Sequence, residues 1–174
     1  MPLFLLTATL LAGCGRGGPD DAASGPPPLT AATLGNQSPR PIADYLAEPR
    51  YAGASAELGT RLLTQCRACH SLAADAPHRL GPNLHGVFGR PVGTAEGYGY
   101  TQALRNADFT WTPRALDAWL ANPTRFLPGN AMAYAGLRHE EDRDALIAAL
   151  LRATAPVATN STEGDEDATG SDND

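Results

Sequence analysis

Apolar residues recur at helical spacing in three stretches of this chain. Over 55–69 the positions Leu58, Leu62 and Cys66 fall four residues apart, which predicts one face of a helix, with Ser55 placed as its cap and Glu57 near its positive end. Thr112-Pro113 reads as a helix start, with threonine as the cap and proline at the first position. Leu116, Trp119 and Leu120 form its apolar stripe, and Asn122-Pro123 ends it. Over 140–152 the acids Glu140, Glu141 and Asp142 favour a helix N-terminus, Leu146, Ile147, Leu150 and Leu151 face inward, and Pro156 stops the helix. This last helix is expected to cross the first. The intervening run 80–90 holds too much Gly and Pro for a helix, and 128–136 has little helical character.

The flanks have no such periodicity. Residues 3–11 are mostly apolar, too short to span a bilayer, and lead into Leu11-Ala12-Gly13-Cys14. That pattern resembles a bacterial lipoprotein signal, which implies a signal peptide over 1–13 and acylation of Cys14; an ordinary cleaved signal with an incidental cysteine is the alternative. Both readings export the chain. Residues 14–50 are rich in Gly, Pro and Ala and read as a flexible linker, in which the isolated apolar trio Ile42, Tyr45 and Leu46 either packs locally on the domain or, as is commoner in a linker, carries no role. The domain is expected over 51–156, and 157–174 reads as a disordered acidic tail.

Charge follows the same division. The formal net charge is −6, and the tail alone holds Glu163, Asp165, Glu166, Asp167, Asp172 and Asp174, so the domain is close to neutral. All 13 basic side chains are arginine and none cluster, which argues against a nucleic-acid partner. A domain of about 100 residues buries little apolar surface and gains from a large bound group in its core.

The chemistry centres on Cys66-Arg67-Ala68-Cys69-His70. On a helix the two thiols and the imidazole share one face. Two thiols three residues apart, followed by histidine, form the pattern for c-type haem attachment, in which the thiols bond the porphyrin edge and the imidazole reaches the iron. A dithiol redox pair or half of a zinc site is the alternative. The remaining cysteine, Cys14, lies far upstream, so a zinc site would have to recruit scattered histidines.

Read with Leu80-Gly81-Pro82-Asn83-Leu84-His85-Gly86-Val87-Phe88-Gly89-Arg90, the motif resembles the class I cytochromes c, especially mitochondrial cytochrome c and its soluble bacterial relatives. The resemblance continues through Gly97-Tyr98-Gly99-Tyr100-Thr101, Thr110-Trp111, Asn122-Pro123, Pro128-Gly129, Met132, Ala135-Gly136 and Asp144-Ala145-Leu146-Ile147. It implies an all-α fold of four to five helices around one covalently attached haem c, bonded to Cys66 and Cys69, with His70 and Met132 as the iron ligands. Pro82 would accept from the His70 ring. Arg90, Tyr100 and Trp111 match positions near the haem propionates, and His78 and His85 match loop histidines rather than ligands. Trp119 stands where the family often has a tyrosine touching the axial methionine; indole cannot accept a hydrogen bond, so any tuning there differs. Asn130 and Ala131 replace a common threonine and lysine.

Such an iron, ligated on both faces, has no vacant position for a substrate, and the implied role is one-electron carriage between redox proteins, many of them membrane-bound. The lipobox adds a tether on the periplasmic side of a bacterial membrane. In the family, lysines ring the exposed haem edge; here Gln65, Thr124 and Ala131 stand at several of those places, with Arg125, Arg138 and His139 remaining. The rival readings are a peroxidase-like or gas-binding haem protein, which requires Met132 unbound, and a fixed haem subunit of a larger membrane oxidoreductase.

Overall fold

The structure is a computed structural model that describes residues 29–35 and 37–155. The signal segment, Cys14, Pro156 and the acidic tail lie outside the described residues. Among those residues the chain forms seven helices: α1 (Ile42–Leu46), α2 (Pro49–Ala52), α3 (Ala56–Arg67), α4 (Gln102–Asn106), α5 (Pro113–Ala121), α6 (Pro123–Phe126) and α7 (Glu140–Thr154). The three longest are those the periodicity predicts. The rest span four or five residues each, so the surplus over four to five helices consists of single turns.

Local chemistry sets the boundaries. The Ser55 hydroxyl accepts from Leu58 N–H at 3.2 Å, and Thr112 accepts from Ala115 N–H at 3.2 Å, where Pro113 fills the first helical position. Asn122 both ends α5 and caps α6, accepting from Arg125 N–H at 2.9 Å. The proline expected only as a terminator thus opens a new turn, because position N1 needs no donor. No side chain caps α7; its first turn holds Glu140, Glu141 and Asp142 at the positive end of the helix dipole.

α7 lies mainly on α3, with α5, α2 and α1 contributing smaller contacts. Leu146, Ile147, Leu150 and Leu151 are all 2% exposed or less, as their spacing predicts. At the crossing stands Gly59: a Cβ there would lie 2.3 Å from the Ala145 carbonyl oxygen. Glycine is what lets the two backbones approach so closely.

Ion pairs of long sequence separation fasten this seam. Arg50 on α2 donates to Asp144 on α7, through Nε at 2.9 Å, and Arg143 donates to Asp117 on α5 at 2.7 Å. Asp117 also lies 3.6 Å from the Arg50 guanidinium, so α2, α5 and α7 share one network.

The linker expected over 14–50 does not run to 50. From Leu29 onward the chain packs on the domain as a strap: Leu34 is 1% and Tyr45 6% exposed, and Ala31 N–H donates to the Phe126 carbonyl at 3.0 Å. The trio Ile42, Tyr45 and Leu46 belongs to α1 and joins the core cluster. Two covered apolar side chains and a few directed bonds suffice where the segment lies on an existing core, although its composition predicts no structure of its own.

Candidate functional site

α3 ends at Arg67, inside the Cys-x-x-Cys-His stretch, but its hydrogen bonds carry on. The His70 N–H donates to the Cys66 carbonyl at 2.8 Å, and the Cys69 N–H donates to the same oxygen at 3.1 Å. The motif is therefore a final tightened turn, which keeps the two thiols and the imidazole grouped as helical spacing anticipates. Both thiols are free. Burial pushes the Cys66 thiol up to about 11, so at neutral pH it is protonated.

The His70 ring has a fixed role for each nitrogen. Its Nδ1 stands 2.7 Å from the Pro82 carbonyl oxygen, an acceptor only, so Nδ1 carries the proton and Nε2 keeps its lone pair. Burial holds the imidazole below its ordinary range, and the Pro82 bond opposes that without overcoming it. The neutral ring is the form that can ligate a metal. Gly81 lies flat against it: a Cβ at Gly81 would come 2.3 Å from His70 Cε1. The residue before Pro82 must be glycine for the ring to reach that carbonyl.

The loop behind the ring is held by Asn83, which sequence reasoning passed over. Its side-chain N–H groups donate to Ala73 and Ala76 carbonyls, both at 2.7 Å, and its oxygen accepts from His85 N–H at 2.7 Å. His78 Nδ1 accepts from Asn83 N–H at 2.9 Å, which leaves Nε2 as the donor to the Glu96 carbonyl at 2.7 Å. His78 is loop structure, as the resemblance implies; of His85, it is the backbone N–H that takes part.

Arg90, Tyr100 and Trp111 gather on one side. Arg90 donates to the Asn83 carbonyl at 3.0 Å; burial lowers its pKa, and the nearby Tyr100 hydroxyl opposes this. Burial likewise pushes Tyr100 up. Trp111 is tied through its backbone N–H to the Arg90 carbonyl at 3.0 Å. Guanidinium, phenol and indole donors in a partly desolvated corner suit carboxylates.

On the other side, Trp119 Nε1 donates to Met132 Sδ at 3.2 Å. A thioether sulfur has two lone pairs, so this bond leaves one for a metal. Indole, a donor only, meets this sulfur in the one way open to it. Asn130 braces the same loop. Its side chain donates to the Pro123 and Leu127 carbonyls at 3.0 and 2.8 Å and accepts from Met132 N–H at 2.9 Å. An Asn two residues before a fixed residue is a local turn signal, readable in retrospect. Tyr134, pushed up by burial first, also feels Cys66, so the Met132 loop and the end of α3 are neighbours. Cys66, Leu84, Phe88, Trp111, Met132 and Tyr134 all border the same apolar cluster.

Two free thiols on one turn, a neutral imidazole with Nε2 unprotonated, a thioether accepting only one hydrogen bond and a corner of carboxylate donors together fit a covalently attached haem. Among the described residues no group of three or more His, Cys, Asp or Glu side chains could hold a metal ion by itself, which disfavours the zinc alternative.

No protein-family model matches the chain. It is, however, 40% identical over 105 residues to a cytochrome c of Kluyveromyces lactis, an alignment covering 60% of this chain and 96% of the relative. It is also 46% identical over 92 residues to a cytochrome c of Chlamydomonas reinhardtii, covering 53% and 82%, and 42% identical over 92 residues to one of Cannabis sativa, covering 53% and 83%. With the helical fold and the attachment turn in place, the extent of the first of these alignments settles the family: the chain belongs to the class I cytochromes c.

Proposed function

We propose that this cytochrome c is a membrane-tethered, exported one-electron carrier whose haem is bonded to Cys66 and Cys69 and ligated by His70 and Met132. Its electron-carrier role and its single covalent haem c come with the family, and it is an electron-transfer protein rather than an enzyme. When bound, the haem iron takes up and releases one electron between its ferric and ferrous forms. The chain's own residues set how. Pro82 fixes the His70 tautomer and makes Nε2 a better donor. Trp119 holds Met132 Sδ by a hydrogen bond, and thioether ligation favours the ferrous form. Arg90, Tyr100 and Trp111 offer donors to the propionates.

The observation that carries the ligation is the pair of contacts His70 Nδ1 to Pro82 and Trp119 Nε1 to Met132 Sδ, each leaving a lone pair unused on the side chain that would ligate. Optical spectra of the purified ferric and ferrous protein test it, together with extraction into acidified organic solvent. Colour retained by the polypeptide and an iron-to-methionine charge-transfer band in the ferric form are expected; colour lost to the solvent overturns the covalent attachment.

The location rests on residues 3–14, the lipobox-like segment ending at Cys14. Among the described residues no helix is long and apolar enough to cross a membrane, so the lipid would be the anchor. The partners would be membrane-bound redox proteins, and no nucleic acid.

The docking edge is short of cations. Gln65, Thr124 and Ala131 are all exposed and neutral, and the exposed basic groups near them in the sequence are Arg67, Arg125, Arg138 and His139. Electron-transfer rates with an acidic partner should therefore fall by less than about threefold between low salt and physiological ionic strength, as measured by stopped flow. A fall of tenfold or more contradicts that reading of the surface.

A further inference from the structure

The strap is joined to the element that leads directly into the Met132 loop. Ala31 N–H donates to the carbonyl of Phe126, the last residue of α6, at 3.0 Å. Leu34, 1% exposed, is buried in the same cluster as Phe126, also 1% exposed, and Trp119. Phe126 stands edge-to-face against Trp119 with ring centroids 6.0 Å apart, and Trp119 donates to Met132 Sδ at 3.2 Å. A second route runs along the backbone. Asn130 hooks the loop to the Pro123 and Leu127 carbonyls at the two ends of α6 and accepts the Met132 N–H.

The loop needs such support. Between α6 and α7 it has no regular structure, and few backbone hydrogen bonds hold it: Leu127 N–H to Pro123, Asn130 N–H to Leu127, Tyr134 N–H to Met132 and Leu137 N–H to Leu120. Near its end Arg143 also donates to the Leu137 and Arg138 carbonyls. Segments with so few internal bonds open locally at a small fraction of the global stability. The stretch around Met132 therefore leans on α6, through Asn130 and Trp119.

We propose that the strap positions the sixth ligand: Ala31 and Leu34 hold α6 against Trp119, and α6 holds the Met132 thioether where the iron is met. This rests on the reading of Met132 as an axial ligand. The strap is a positioning element, since none of its residues is assigned to touch the iron. Its loosening converts a closed site into one that admits an outside ligand, so this segment sets the balance between electron carriage and ligand binding.

The test uses the full-length ferric holoprotein titrated with imidazole, following loss of the iron-to-methionine charge-transfer band. Leu34→Ala, the milder Leu34→Val, and Arg50→Ala as a control that breaks the α2–α7 ion pair are compared after their global stabilities are measured by denaturant. Leu34→Ala is expected to bind imidazole about tenfold more tightly than the parent, equivalent to about 1.4 kcal/mol of loop closure. Leu34→Val should fall between, and Arg50→Ala should match the parent despite a loss of global stability. Should Leu34→Ala fail to fold, Leu34→Val carries the comparison. Unchanged imidazole affinity in both Leu34 variants overturns the proposal, as does an equal rise in Arg50→Ala. A parent protein without the band refutes the ligation itself, and the proposal falls with it for that separate and distinguishable reason.

Discussion

Met132→Ala is expected to bind imidazole at least about a hundredfold more tightly than the parent in the ferric state, a change of roughly 2.8 kcal/mol. The charge-transfer band should be absent and the reduction potential lower, because loss of the thioether removes the ligand that favours the ferrous form. The size of the effect follows from how few replacements this chain offers. It contains no lysine, so no side-chain amine can swing in. The His78 ring is engaged on both nitrogens, by Asn83 N–H and the Glu96 carbonyl, His85 is tied through its backbone N–H to Asn83 and its carbonyl to Arg90, and His139 is exposed at the start of α7. Trp119 would lose its acceptor, and a buried N–H left unpaired costs about 1–3 kcal/mol. Thermal unfolding should therefore shift down modestly while ligand affinity changes by orders of magnitude. A variant that keeps the band, or binds imidazole as weakly as the parent, would remove Met132 from the site and leave the sixth position to another residue.

The contrast between the attachment turn and the Met132 loop shows which parts of the site a sequence can express. The attachment turn is local: Cys66, Cys69 and His70 are neighbours along the chain, so spacing alone places them together, and the caps Ser55 and Thr112 are equally local. The Pro82 contact was legible only through resemblance, since twelve residues separate it from His70. Trp119 was legible as a departure, but the direction of its bond to Met132 needed the fold. Asn130 read as the loss of a propionate contact, whereas it is the hook of the loop, because its amide supplies two donors and an acceptor to backbone within seven residues.

The strap was legible only as an apolar trio, Ile42, Tyr45 and Leu46, able to pack locally. Composition registers the average of a segment, and 29–50 averages as linker; what orders it is Leu34 and Tyr45 reaching a core made by distant residues. The same limit applies to Arg50 and Asp144, separated by 94 positions and paired only once α2 lies on α7. These contacts have no period, and each becomes favourable only after the helices it joins are in place.

Gly59→Ala should destabilise the protein by roughly 2 kcal/mol or more, even though alanine is the better helix former by up to about 1 kcal/mol. The two effects oppose each other, and geometry decides between them. The new methyl carbon would lie 2.3 Å from the Ala145 carbonyl oxygen, 3.0 Å from its carbon and 3.1 Å from Ala149 Cβ. Two of those three atoms are backbone of α7, which cannot rotate aside as a long side chain would. The helices must separate, and overpacking of this kind commonly costs about 1–3 kcal/mol, occasionally more. Separation also loosens Leu63, Leu146 and Leu150, which are buried in the core cluster. Because α3 runs directly into Cys66, the displacement reaches the attachment turn, so the yield of holoprotein should fall together with the denaturation midpoint. Gly99→Ala provides the comparison: nothing lies within 4 Å of a Cβ there, and a change within about 0.5 kcal/mol is expected. Equal stabilities for the two variants, measured by denaturant titration, would mean that α3 and α7 do not meet at Gly59, and that helix propensity alone governs the position.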